Sequence, residues 1–142
     1  MTEADRPMVR VEKRFAQSPE RVFDAFLDPA RAKRFLFATR TGTMVKAEID
    51  ARPGGGFTFV DRRDGQDIEH VGTYLEIERP RRLVFDFAVP AFSAERTRVT
   101  VEIAPDGEGS RLTLVHEGVL PDYAEKTRQG WDTILDGLAA VL

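Results

Sequence analysis

The chain has 142 residues, 42% of them hydrophobic and 32% charged, a length and balance that suit one domain around one core and exclude intrinsic disorder. Its 21 Lys and Arg against 24 Asp and Glu leave a net charge of −3, which gives no electrostatic footprint for nucleic acid or an anionic membrane. The absence of cysteine excludes disulfides, thiolate metal sites and a cysteine nucleophile, and makes a cytoplasmic location the default expectation.

In chain order, the charged stretch Met1 to Arg14 lacks the apolar core of a signal peptide, and no later apolar run approaches membrane-spanning length. Alternation from Met8 to Phe15 predicts a first strand with Val9, Val11 and Phe15 facing inward. Ser18-Pro19-Glu20 reads as an N-cap, a proline at the first helical position and an acid in the first turn, ahead of the apolar stripe Val22, Phe23, Phe26 and Leu27. Asp28-Pro29 repeats the start signal for a second short helix through about Leu36.

From Thr43 to Gly118 the chain reads as strands broken by turn chemistry at Arg52-Pro53-Gly54-Gly55-Gly56, Arg63-Asp64-Gly65, Glu78-Arg79-Pro80 and Pro105-Asp106-Gly107-Glu108-Gly109. The expected strand cores are Met44 to Ile49, Phe57 to Arg62, Glu69 to Ile77, Leu83 to Val89, Arg96 to Ile103 and Arg111 to Glu117. Short connections imply antiparallel neighbours and a meander. Beyond Pro121-Asp122, the positions Thr127, Trp131, Ile134, Leu135, Leu138, Val141 and Leu142 recur at helical spacing and predict a long amphipathic helix that covers the sheet. Gly130 and Gly137 lie inside it, a pattern that reads first as close packing and second as room for a ligand. The whole, residues 1–142, is expected to form a single α+β domain.

The sequence offers little chemistry. Gly54-Gly55-Gly56 precedes a strand and lacks the spacing of a phosphate-cradling loop, and no nucleophile elbow or metal-binding His pair occurs. His70 and His116 fall on strands three apart in a meander, too distant to share a metal, and both read as structural. His70 alternates out of phase with Val71, Thr73, Leu75 and Ile77. Asp86, between Phe85 and Phe87, is expected to face solvent, and the cluster Arg79, Arg81 and Arg82 to decorate a solvated turn. Catalytic residues are left unassigned, and neither metal nor cofactor is expected. The stronger signal is aromatic: Phe57 with Phe59, Phe85 with Phe87, and Trp131 on the facing helix are placed either to pack a core or to line a cavity.

The order of elements resembles the helix-grip fold of the START and birch-pollen-allergen superfamily, a curved seven-stranded antiparallel sheet around a long C-terminal helix with two short helices after the first strand. More narrowly, the pieces Pro19 to Phe26 with Asp28-Pro29, Pro53-Gly54-Gly55-Gly56-Phe57, Gly72-Thr73-Tyr74 with Pro80-Arg81-Arg82-Leu83, Gly118, and Gly130-Trp131 follow one another in a set order. In these pieces the chain resembles the family named after the C-terminal domain of the heat-shock-protein-90 ATPase activator, within the SRPBCC group. Phe35 departs from the pattern, since a tryptophan is common at the end of the second helix. The resemblance implies a fold that serves ligand carriers, polyketide cyclases, antibiotic-resistance proteins and co-chaperone domains. The expected function is binding of a small apolar molecule (a lipid, polyketide or aromatic metabolite) by Phe37, Phe57, Phe59, Tyr74, Phe85, Phe87 and Trp131 between the sheet and the last helix. The alternatives are a cyclase- or hydrolase-type enzyme using the same pocket and a co-chaperone-like module acting through its surface. Neither nucleic acid nor membrane is an expected partner, and a homodimer is left open.

Overall fold

A computed structural model describes residues 8–39 and 41–142; the first seven residues of the charged opening stretch lie outside the described residues. The first strand, β1 (Val9–Phe15), buries Val9, Val11 and Phe15 in strict alternation. Helix α1 (Pro19–Leu27) starts where the sequence demands, with Ser18 Oγ accepting a hydrogen bond from the Arg21 amide and Pro19 in the first turn. Asp28 then serves two helices: its amide closes α1 onto the Asp24 carbonyl, and its Oδ1 accepts from the Ala30 amide to open α2 (Pro29–Ala32). Helix α2 is shorter than expected. It gives way to tight turns from residue 33, which bring Phe35, Leu36 and Phe37 into the core as three consecutive buried side chains that one helical face could not present.

Six further strands follow: β2 (Thr43–Ile49), β3 (Gly56–Arg63), β4 (Gln66–Glu78), β5 (Arg82–Val89), β6 (Ser93–Asp106) and β7 (Gly109–Glu117). All neighbours pair antiparallel, in the order β1-β7-β6-β5-β4-β3-β2, so the meander runs from β2 to β7 and β1 closes onto its end. After a 3₁₀ turn at Pro121–Tyr123, α3 (Ala124–Val141) buries Trp131, Leu135 and Leu138 against the core and runs beside β1. Lys13 Nζ on β1 bonds Asp136 Oδ1 on α3 at 2.9 Å. None of the helices, among the described residues, is long and apolar enough to cross a membrane.

One irregularity decides which side chains reach the interior. A bulge between Tyr74 and Glu76 inserts Leu75 as an extra residue, and an extra residue reverses the face presented by everything after it. The apparent run Val71, Thr73, Leu75 and Ile77 is therefore not one face. The first three point away from the core, Ile77 packs against it, and the inward set before the bulge is Ile68, His70, Gly72 and Tyr74.

Candidate functional site

Phe37 is the hub of the interior. It projects from the turn after α2 with φ of 59°, a left-handed backbone that costs a non-glycine residue on the order of 1 kcal/mol or more. Its ring is 4.7 Å from and nearly parallel to His70, 5.3 Å from Phe87, 5.7 Å from Phe59, 5.8 Å from Phe57 and 6.0 Å from Trp131. Phe57 meets Phe85 edge-to-face at 5.4 Å and Tyr74 at 5.5 Å. All seven aromatic residues expected at the site thus belong to one connected block. Six of them are buried, and Phe87 alone is partly open. Gly72 makes room for it: a Cβ there would stand 2.3 Å from the Phe57 ring and 2.2 Å from the Asp86 carbonyl. Phe35 lies apart from this block, packed edge-to-face on Phe26 at 5.3 Å.

At the α3 side of the block, the Trp131 indole N–H donates to His116 Nδ1 at 3.0 Å, and His116 Nε2 lies 2.7 Å from Thr97 Oγ1. Burial pushes the His116 pKa down to about 4, so the ring is neutral near pH 7. His70 is lowered to about 4 as well, first by burial and then by the nearby Arg63 charge. Its Nδ1 is buried without a hydrogen-bond partner. Burial also raises the Tyr74 phenol, which stays protonated and is no base.

Beyond Phe87 the block opens to solvent. A cleft of about 490 Å³ lies between the β5–β6 hairpin and the β7–α3 connection, floored by Phe87 and Ala88 and rimmed by Phe92, Leu120 and Tyr123. A contiguous recess of about 180 Å³ shares Thr97, Leu120 and Thr127 and reaches His116. The three rim residues are among the large apolar side chains left exposed, Phe92 to 75%. Of the seven expected residues, Phe87 lines the larger cleft. Trp131 stands behind it through His116, and Phe37, Phe57, Phe59, Tyr74 and Phe85 are not among its lining residues.

A second polar group, missed from sequence, sits at the opposite end of the block. Asp61 continues the inward alternation of Phe57 and Phe59 and is completely buried. Its Oδ2 accepts from Thr39 Oγ1 and from Arg63 Nε, both at 2.7 Å, while Oδ1 has no partner. The period-two reading of β3, carried one step past Phe59, would have found it. By contrast Asp86 faces outward and pairs with Arg96 at 2.7 Å, and Arg79, Arg81 and Arg82 each pair with a neighbouring carboxylate. That local neutralisation leaves no basic patch at the turn. No group of three or more metal-ligating side chains occurs among the described residues.

The model of the family "Activator of Hsp90 ATPase homolog 1-like protein" matches residues 16–142. Protein CV1439 from Chromobacterium violaceum is 31% identical, covers 94% of both chains and superposes with a TM-score of 0.85. A protein from Rhizobium loti is 29% identical over 96% of both chains with a TM-score of 0.78. The AHSA1-like protein from Aeromonas hydrophila, at 21% identity, covers 95% of this chain and 91% of its own with a TM-score of 0.80, a likeness of fold alone. No curated protein matches the sequence. With the family match spanning nearly the whole helix-grip domain, the chain belongs to the Activator of Hsp90 ATPase homolog 1-like family of the SRPBCC superfamily.

Proposed function

We propose that this protein binds a small, mainly apolar molecule in the cleft between the β5–β6 hairpin and the β7–α3 connection, against the aromatic block. One observation carries the reading: Phe92, Leu120 and Tyr123 stay exposed around an open cleft of about 490 Å³ whose floor is the partly buried Phe87. An exposed apolar rim around a concave, mostly apolar surface is the ordinary form of a small-molecule site. The enzymatic alternative has weaker support. Both ring nitrogens of His116 are engaged, so it moves a proton only by giving up a hydrogen bond.

Trp131 is the only tryptophan and touches Phe87 at 6.3 Å, so its emission reports on the cleft. Titration with diphenylmethane is expected to shift or quench that emission and to raise the melting temperature by mass action, while Trp131→Phe serves as the emission blank. The double variant Phe92→Ser, Leu120→Ser is expected to weaken binding while keeping the fold, since both side chains are exposed. Absence of any shift in emission or melting temperature with diphenylmethane and with its hydroxyl and keto analogues sinks the reading and leaves the apolar rim to a co-chaperone-like surface role.

A further inference from the structure

The cleft presents a hydrogen-bond donor to its occupant, and this follows from the direction of one short chain of bonds. An indole N–H can only donate, so His116 Nδ1, 3.0 Å from Trp131 Nε1, must be the unprotonated, accepting nitrogen. A neutral imidazole with an accepting Nδ1 carries its proton on Nε2. Nε2–H therefore donates to Thr97 Oγ1 at 2.7 Å. The Thr97 oxygen is taken up as an acceptor from behind, and its own O–H is left to donate. Thr97 lines both the main cleft and the recess beside it.

Resting on the binding role proposed above, we infer that the preferred ligands are apolar molecules bearing a carbonyl oxygen, which accepts from the Thr97 hydroxyl. A hydrocarbon of the same shape covers this O–H without pairing it, and an unpaired buried donor is costly. An alcohol can accept the bond but brings a proton of its own that needs a partner. The expected order of affinity is ketone, then alcohol, then hydrocarbon.

Benzophenone, diphenylmethanol and diphenylmethane share one skeleton and differ only in this group. Calorimetric or fluorescence titration of the full chain should place benzophenone about tenfold tighter than diphenylmethane, the factor that one net hydrogen bond supplies. Thr97→Val should erase that preference by weakening benzophenone alone, and Thr97→Ser should restore it. Independently, long-range ¹⁵N–¹H spectra of His116 should show the Nε2–H tautomer. Equal affinities across the trio, a preference that survives Thr97→Val, or an Nδ1–H tautomer would each overturn the inference while the binding role stands. If no member of the trio binds, the binding role fails and the inference falls with it.

Discussion

His70 and His116 make the native state sensitive to mild acid. Both lie on the inner face, 6% and 5% exposed, with pKa values lowered to about 4 mainly by burial. In the unfolded chain each titrates near 6.5, so below that pH the unfolded state binds more protons and stability falls with pH. The loss runs from about pH 6.5 down to about 4, where the folded rings protonate too, and each histidine contributes on the order of 3 kcal/mol across the window. Urea unfolding between pH 7.5 and 4.5 should show the decline, and His70→Gln or His116→Gln should each flatten it. A stability that holds level down to pH 5 in the parent protein would contradict this account. Asp24 adds a smaller effect of the same sense: the Arg79 hydrogen bonds lower its carboxyl, but the pair is about half exposed and such pairs contribute little.

Among the elements, three glycines test the packing directly. In β4 a methyl on Gly72 would collide with the Asp86 carbonyl and the Phe57 ring, so Gly72→Ala should destabilise by at least the roughly 1–3 kcal/mol typical of overpacking. In α3 a Cβ on Gly130 meets nothing within 4 Å, and Gly130→Ala should stabilise by about 0.5–1 kcal/mol through helix propensity. Gly137 differs again, since its Cβ would approach Phe35 at 3.3 Å, which fits the close-packing reading of that position. Denaturant midpoints at unchanged slope would check the first two signs. Phe37→Ala, which removes the ring at the centre of the aromatic block, should cost about 3–5 kcal/mol. These cases also show what the sequence could reveal. Helix starts were legible at Ser18-Pro19 and Asp28-Pro29 because capping is local chemistry, and the strands because turn residues bound them. The inward turn of His70 was not, because the Leu75 bulge disguises the alternation that would reveal it. Thr97 and the rim residues Phe92, Leu120 and Tyr123 were illegible for another reason: they come from β6, the β5–β6 hairpin and the β7–α3 connection, and meet only in the folded chain.

At the scale of the molecule, β1 and α3 lie far apart in sequence yet side by side, and β1 pairs only with β7 among the described strands. The core they share is continuous: buried side chains of β1, α1, the turn after α2, the sheet and α3 form one cluster. A single core of this kind should unfold as one cooperative unit. Trp131 gives a sharp test because it reports the docking of α3, whereas the far-ultraviolet circular dichroism signal is summed over sheet and helices. If α3 were a loosely attached cover, its release would expose Trp131, and the fluorescence transition would come at lower denaturant than the loss of strand signal. The helix has only three fully buried side chains of its own, Trp131, Leu135 and Leu138. Trp131 nonetheless packs on Phe37 and Phe87 while the helix lies along β1, and stripping the three away would leave Phe37 and Phe87 facing water at several kcal/mol. That cost ties release of the helix to collapse of the sheet. The two urea transitions are therefore expected to coincide in midpoint and slope, and a fluorescence midpoint clearly below that of the circular dichroism would show that α3 undocks as a separate step.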